Sequence, residues 1–320
     1  HLFQPLLYQV ATAALSPADI AAPIRSVVSK QPKVQVVLGE ASLVDLEGRW
    51  VQVVDDQVEY DWLVLAAGAT HDYFGNPQWQ ARAPGLKTVD DALDVRRRVL
   101  LAFEKAELED DPEARAANLT FVIVGGGPTG VEMAGALREI AANSIPRDFR
   151  RVDTTEARVV LIEGQDRLLP TMSEASGRRA LQDLEEMGVE VRVSTFVTDV
   201  REEAVFAGDE LIPASNIIWA AGVRGESIAE TLGVELDRVG RVKVEGDCSV
   251  PGHPEAFVIG DLAYLEDPVT GKPVPGVAQG ALQQGDFVAK LIRNGVESLG
   301  KPDGLQVFRY HDKGDMATIG

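Results

Sequence analysis

Gly125-Gly126-Gly127-Pro128-Thr129-Gly130 follows the apolar run Phe121-Val122-Ile123-Val124, and Glu163 ends a second apolar run, Val159-Val160-Leu161-Ile162. Glycines spaced G-x-G-x-x-G between a strand and a helix suit one task, holding a dinucleotide pyrophosphate. Gly125 makes the tight turn, Gly127 lets the backbone approach the phosphates, and Gly130 lets helix and strand pack closely. The helix that follows the turn, read over residues 131–142, offers unpaired N–H groups and partial positive charge to the anion at its start. Glu163 would accept hydrogen bonds from the adenine-ribose 2′-hydroxyl and repel a 2′-phosphate, favouring NADH over NADPH. It lies farther from the glycines than the usual spacing of roughly 20 residues, which fits an insertion at residues 143–156. Arg167 is close enough in sequence to weaken the preference.

Three further groups are candidates, each with a plainer reading beside it. Glu132, placed in the first helical turn, either complements the helix dipole or contacts a nicotinamide or flavin ring. Gly260-Asp261 follows the strand Phe257-Val258-Ile259; its carboxylate either caps a turn or holds a sugar-like hydroxyl. Gln279 and Gln283 share a helix face at i, i+4. They are either solvated glutamines or a pair of amides for a carbonyl-bearing substrate.

Other chemistries find little support. His1, His71, His253 and His311 show no ligand spacing with one another or with Cys248, so no metal site is expected, and no G-x-S-x-G elbow appears. Cys248 is the only cysteine. It excludes an internal disulfide or redox pair, indicates a reducing compartment, and reads as a small core or strand residue. The net charge of −19 argues against nucleic-acid binding, which relies on Lys and Arg neutralising phosphates. It also argues against an electrostatic grip on anionic lipid. Much of that charge sits in Glu104, Glu107, Glu109, Asp110, Asp111 and Glu113, read as a solvated helix face running into a linker. A chain of 320 residues, 45% hydrophobic and 25% charged, suits two soluble domains. No apolar run approaches the roughly 18–20 residues that span a bilayer.

The elements that must position these residues follow from periodicity. Residues 34–54 alternate as two or three antiparallel strands, and 61–69 read as a buried strand ending at Gly68. Residues 86–108 carry Leu86, Val89, Leu93, Val99, Leu100 and Phe103 at helical spacing, and 109–118 read as a linker. Strand, glycine turn, helix and strand then succeed one another from 121 to 162. A helix at about 173–187, a strand at 189–193, a hairpin near 197–213 and a strand at 217–220 ending at Gly222 come next. The last helix is placed near 276–293. This alternation predicts a parallel, doubly wound α/β sheet. Ala66-Ala67-Gly68 and Ala220-Ala221-Gly222 each end an apolar strand, suggesting two related domains.

Together these residues resemble the type II NADH:quinone oxidoreductases. The likeness rests on His1 to Ala11, Gly125 to Glu132, Gly260-Asp261, Ala278-Gln279 to Gln284-Gly285, and Tyr310-His311-Asp312-Lys313-Gly314. It implies two Rossmann-like dinucleotide-binding domains, the NAD domain inserted in the FAD domain: residues 1–115 and 246–320 for FAD, 116–245 for NAD. Both ends are expected to be truncated, without the first FAD glycine motif and the C-terminal membrane-anchoring part. The resemblance sets Asp261 and Gly260 on FAD, puts Ala41, Gly68, Gly222 and Ala278 along the cofactors, and brings Glu132 to the nicotinamide. Gln279, Gln283 and Lys313 are placed at the flavin and quinone end. The implied reaction passes hydride from NADH to FAD and two electrons on to a quinone. The intact protein would be peripheral on the cytoplasmic face of the membrane, and a homodimer is admitted. Two other readings stay open: an NADH-dependent reductase of a small iron–sulfur carrier, and a non-catalytic NADH-binding redox sensor. Sulfide:quinone oxidation is disfavoured without a cysteine pair.

Overall fold

A computed structural model describes residues 2–293 and 306–320; His1 lies outside the described residues. In chain order, β1 (Ala41–Asp45), β2 (Trp50–Val53) and β3 (Asp56–Glu59) form an antiparallel sheet, and β4 (Leu63–Leu65) follows. Helices α1 (Val89–Leu108) and α2 (Pro112–Asn118) lead to β5 (Thr120–Val124), α3 (Pro128–Glu139), β6 (Arg158–Ile162), α4 (Glu174–Glu186) and β7 (Glu190–Arg192). Then come an antiparallel three-stranded sheet, β8 (Val197–Val200), β9 (Ala204–Ala207) and β10 (Glu210–Pro213), and the strand β11 (Asn216–Trp219). Two strands, β12 (Ser249–Val250) and β13 (His253–Val258), and the helix α5 (Ala278–Arg293) complete the set that positions the site.

The chain folds as two compact units, one of residues 1–34, 71–222 and 315–320, the other of residues 35–70 and 223–314. These limits differ from a division at 115 and 245. Residues 71–115 pack with β5 because α1 lays Phe103 against Phe121, ring centroids 5.4 Å apart. Residues 223–245 join the other unit, where Val242–Lys243 pair with Ala263–Tyr264.

In the first unit, β11, β5, β6 and β7 form a parallel sheet in that order. Every residue of β5 is buried, as a central parallel strand covered on both faces requires. Helix α1 starts at a capping box: Thr88 Oγ1 accepts from Asp91 N, and Asp91 Oδ2 accepts from Thr88 N. Burial opposes ionisation of Asp91, but the His71 imidazole 3.6 Å away and hydrogen bonds from Lys87 N and Thr88 N hold its carboxyl down at about 2. The buried stripe of α1 is Ala92, Val95, Val99, Ala102, Phe103 and Ala106. Leu93 and Leu100, expected inside, are exposed, because each follows a residue of that stripe by one position, about 100° round the helix from it.

The expected linker at 109–118 contains the helix α2, which Asp111 caps by accepting from Ala114 N, with Pro112 at its first position. Glu107 does more than face solvent. Its carboxylate accepts from the backbone N–H groups of Arg150, Arg151 and Val152, and those bonds lower its pKa against desolvation. Asp110 pairs with Arg151 at 2.5 Å. The segment between α3 and β6 is thereby pinned to α1, which accommodates the long spacing from the glycines to Glu163.

In the second unit, β4 pairs in parallel with β13, and β12 in antiparallel on the other side. Among the described residues β4 lies at the edge of its sheet, and Trp62 and Val64, expected in a buried run, are exposed. Cys248 is fully buried, but in a turn rather than a strand, with φ +68°.

Candidate active site

Parallel register brings three strand ends level in the first unit: Val124 lies opposite both Ile162 and Trp219. Gly125, Glu163 and Ala220 therefore emerge at one carboxyl edge, where open α/β sheets bind ligands. Gly125 N donates to Ile162 O at 2.8 Å, and Ala220 N donates to Val124 O at 2.8 Å. Gly125 has φ +112°, and a Cβ there would fall 2.7 Å from the Ala220–Ala221 backbone. A Cβ on Gly130 would fall 1.8 Å from Gly125 O, so α3 rests directly on the turn. A Cβ on Gly126 would meet Leu168 and Glu163.

Gly127 is different. It has ordinary extended geometry (φ −72°, ψ −178°), and among the described residues nothing lies within 4 Å of a Cβ built on it. Neither conformation nor packing within the protein requires glycine there. What its missing side chain leaves is open space at the start of α3, whose N-terminus no side chain caps and whose first position is Pro128. A pyrophosphate fits this cradle: the glycine admits it, and the helix start supplies N–H groups and partial positive charge.

Glu163 stands beside the cradle, 9% exposed. Its Oε2 accepts from Gly126 N at 2.5 Å, and its Oε1 accepts from Gln165 N at 2.7 Å. A carboxylate offers about four acceptor positions, so further donors such as ribose hydroxyls can be accommodated. Arg167 is committed to its own turn, donating from Nη2 to Pro170 O at 2.7 Å, while Nη1 is buried with no hydrogen-bond partner among the described residues.

Glu132 is the fifth residue of α3, one turn later than expected, where the dipole's influence has largely faded. Burial raises its carboxyl to about 7, opposed only by a 3.3 Å hydrogen bond from Thr318 N. A carboxyl of this kind can hold or release a proton near neutrality.

The second unit has its own level edge. Val258 lies opposite Leu65, and Ile259 N donates to Leu65 O at 3.1 Å. Gly68 and Gly260 follow these strands with φ +78° and +71°, and a Cβ on Gly68 would meet nothing within 4 Å. The backbone at Gly68 is therefore open to close approach, and Asp261, half-buried in the short helical turn Gly260–Leu262, stands at the same edge. This edge suits the sugar-phosphate part of a second dinucleotide such as FAD.

The glutamine helix divides its tasks. Gln283 turns both ends of its amide to one residue: Nε2 donates to His311 O and Oε1 accepts from His311 N, each at 2.9 Å. It thereby ties the Tyr310–Gly314 segment to α5. Gln279 is half-buried, and Lys313 is exposed. Ala278 is the first residue of α5. Ala41 pairs with Val53 beside a register shift. At Gly222 the close approach is internal, since a Cβ would fall 2.6 Å from the Phe74 ring and 2.9 Å from Asp72 O.

Residues 1–285 match the family described as pyridine nucleotide-disulphide oxidoreductase. Type II NADH:quinone oxidoreductase Ndh of Mycobacterium tuberculosis is 45% identical, over 100% of this chain and 70% of that protein. The chain belongs to the type II NADH:quinone oxidoreductases. NdhA of the same organism, also a type II NADH:quinone oxidoreductase, is 43% identical with the same coverage. NDH2 from Plasmodium falciparum, solved in complex with NADH, superposes with a TM-score of 0.89 at 19% identity, over 100% of this chain and 81% of that one. At that identity the likeness shows the fold alone.

Membership of this family sharpens the meaning of Cys248. Burial pushes its thiol up to about 12, so it stays protonated and inert. Among the described residues no helix is long and apolar enough to cross a membrane, and no group of three or more His, Cys, Asp or Glu side chains could hold a metal ion. Two residues escaped the sequence reading. Gln284, 2% exposed, accepts from Gly260 N at 2.7 Å and so holds the Gly260–Asp261 turn. Leu169 N donates to Gly126 O at 2.8 Å and holds the glycine loop from the other side. Gln284 shares the buried face of α5 with Gly280, Val288 and Leu291, a pattern that spacing displays without saying which face turns inward; nothing local announces the Leu169 contact.

Proposed function

We propose that this chain is the NADH-oxidising core of a flavoenzyme that delivers electrons to a quinone. The observation that carries the nucleotide half is Gly127, a glycine no internal contact requires, beside a buried glutamate bonded to the same loop. The quinone half draws its support from family membership. When bound, FAD accepts hydride from NADH and yields two electrons to the acceptor.

The chain's own residues bind and orient. The Gly125–Gly130 turn and the start of α3 hold the NADH pyrophosphate, and Glu163 holds the adenine ribose while disfavouring a 2′-phosphate. Glu132, with its carboxyl raised to about 7, carries less negative charge near neutrality than an ordinary carboxylate and can exchange a proton beside the bound nucleotide. In the other unit, Gly68, Gly260 and Asp261 take the FAD sugar-phosphate part, with Gln284 fixing their turn. Gln283, tied to His311, acts on the quinone end by setting the Tyr310–Lys313 segment, and the Gln279 amide makes no hydrogen bond among the described residues.

A quinone is apolar and resides in the bilayer, so the proposal includes peripheral attachment of the intact protein at the cytoplasmic face, where NADH is available. A homodimer is part of the same proposal, supported by the resemblance to the family. The test is NADH absorbance followed in the flavin-loaded full-length protein with a soluble quinone, with a ferredoxin or rubredoxin, and with neither. Quinone-dependent oxidation supports the proposal. Turnover with the iron–sulfur carrier but not with quinone, or NADH binding without turnover, would refute it.

A further inference from the structure

Phe196 is 70% exposed, yet its backbone is well anchored. Thr195 N donates to Glu163 O at 2.9 Å, Ser194 N to Gln165 O at 2.7 Å, and Gly208 N to Phe196 O at 2.9 Å. The ring lies over Gly164: a Cβ there would fall 2.6 Å from Cε1 and 2.9 Å from Cδ1 of Phe196. Gly164 does not have a left-handed φ, so the ring, not the backbone, explains the glycine. One part of an aromatic ring thus rests on the residue after Glu163, and the rest faces water.

We propose that Phe196 is the stacking platform for the adenine ring of NADH. This deepens the nucleotide assignment and rests on it. The base is joined directly to the ribose that Glu163 would hold, so it must lie within one residue's reach of that carboxylate. Gly164 occupies that position, and Phe196 covers it. A flat π-face of this kind suits a flat heteroaromatic base. Stacking of this type is tolerant of base identity, since it reads a face and not an edge. The platform therefore contributes affinity for the adenosine half while Glu163 supplies the choice between NADH and NADPH.

The test is calorimetric titration of the full-length protein with ADP-ribose, which carries adenine, ribose and pyrophosphate but no nicotinamide. Phe196→Ala is expected to raise the Kd for ADP-ribose about tenfold, within the roughly 5- to 150-fold range of aromatic–base stacking. Phe196→Tyr and Phe196→Trp are expected to bind as the unsubstituted protein does. As a second readout, kcat/KM for reduced nicotinamide mononucleotide, which has no adenine, should be unchanged in Phe196→Ala. Unchanged ADP-ribose affinity in Phe196→Ala, loss in the Tyr and Trp variants equal to that in Ala, or an equal loss with the mononucleotide would overturn the platform. Failure of the unsubstituted protein to bind ADP-ribose would instead overturn the nucleotide assignment, and the platform with it.

Discussion

Replacing Glu132 by Gln removes a charge that the fold disfavours, and its effect must depend on pH. The Glu132 carboxyl is raised by burial from 4.5 to about 7, so between those values the folded protein binds more protons at this group than the unfolded chain does. Stability therefore falls as pH rises through that window. The full shift corresponds to an upper bound of roughly 3.4 kcal/mol at 1.36 kcal/mol per unit. Partial solvation of the carboxyl reduces this to about 1–2 kcal/mol. Gln keeps the oxygen that accepts from Thr318 N, so that hydrogen bond survives. Below about pH 4.5 the variant and the parent should melt together; above about pH 7 the variant should melt roughly 2–6 °C higher. Differential scanning fluorimetry across that range reads the difference directly. A constant offset at all pH values, or a variant less stable at high pH, would refute the reasoning, because a buried ionisable carboxyl predicts neither.

Gly130→Ala should lower Tm sharply or prevent folding, since the new Cβ would collide with Gly125 O at 1.8 Å; a melt within 1–2 °C of the parent, roughly half a kcal/mol, would contradict the packing. Gln283→Leu should release His311, speeding exchange of its amide hydrogen about 3- to 10-fold, the worth of one net hydrogen bond. Unchanged exchange on mass spectrometry would show the clamp to be idle. Glu163→Ala should narrow the preference of NADH over NADPH by about tenfold or more in kcat/KM; an unaltered ratio would remove Glu163 from the ribose.

The central βαβ of the first unit was legible because its signals are local. Four apolar residues, a glycine run and a helix start need no distant partner to be recognised, and register then brings Val124, Ile162 and Trp219 level. What stayed hidden depends on contacts far along the chain. The polar composition of 109–118 suggested a linker, yet Asp111 and Pro112 start a helix there, and Glu107 reaches residues more than forty positions away. Spacing put Gln279 and Gln283 on one face but could not say which face turned inward. It is Gln284 that is buried, and Gln283 is bonded to a backbone segment beyond the helix. The limits of the two compact units were hidden for the same reason, since Phe103 meeting Phe121 is a fact of packing that neither residue announces.

Gly127→Ala is the most direct test of the whole account, because the protein has room for that methyl group and a pyrophosphate does not. Calorimetric titration with NADH, alongside a thermal melt, separates the two. The account predicts an unchanged Tm and an NADH affinity weakened about tenfold or more, a loss of at least roughly 1.4 kcal/mol. Full NADH affinity in a normally folded Gly127→Ala protein would mean that the phosphates do not lie against the start of α3.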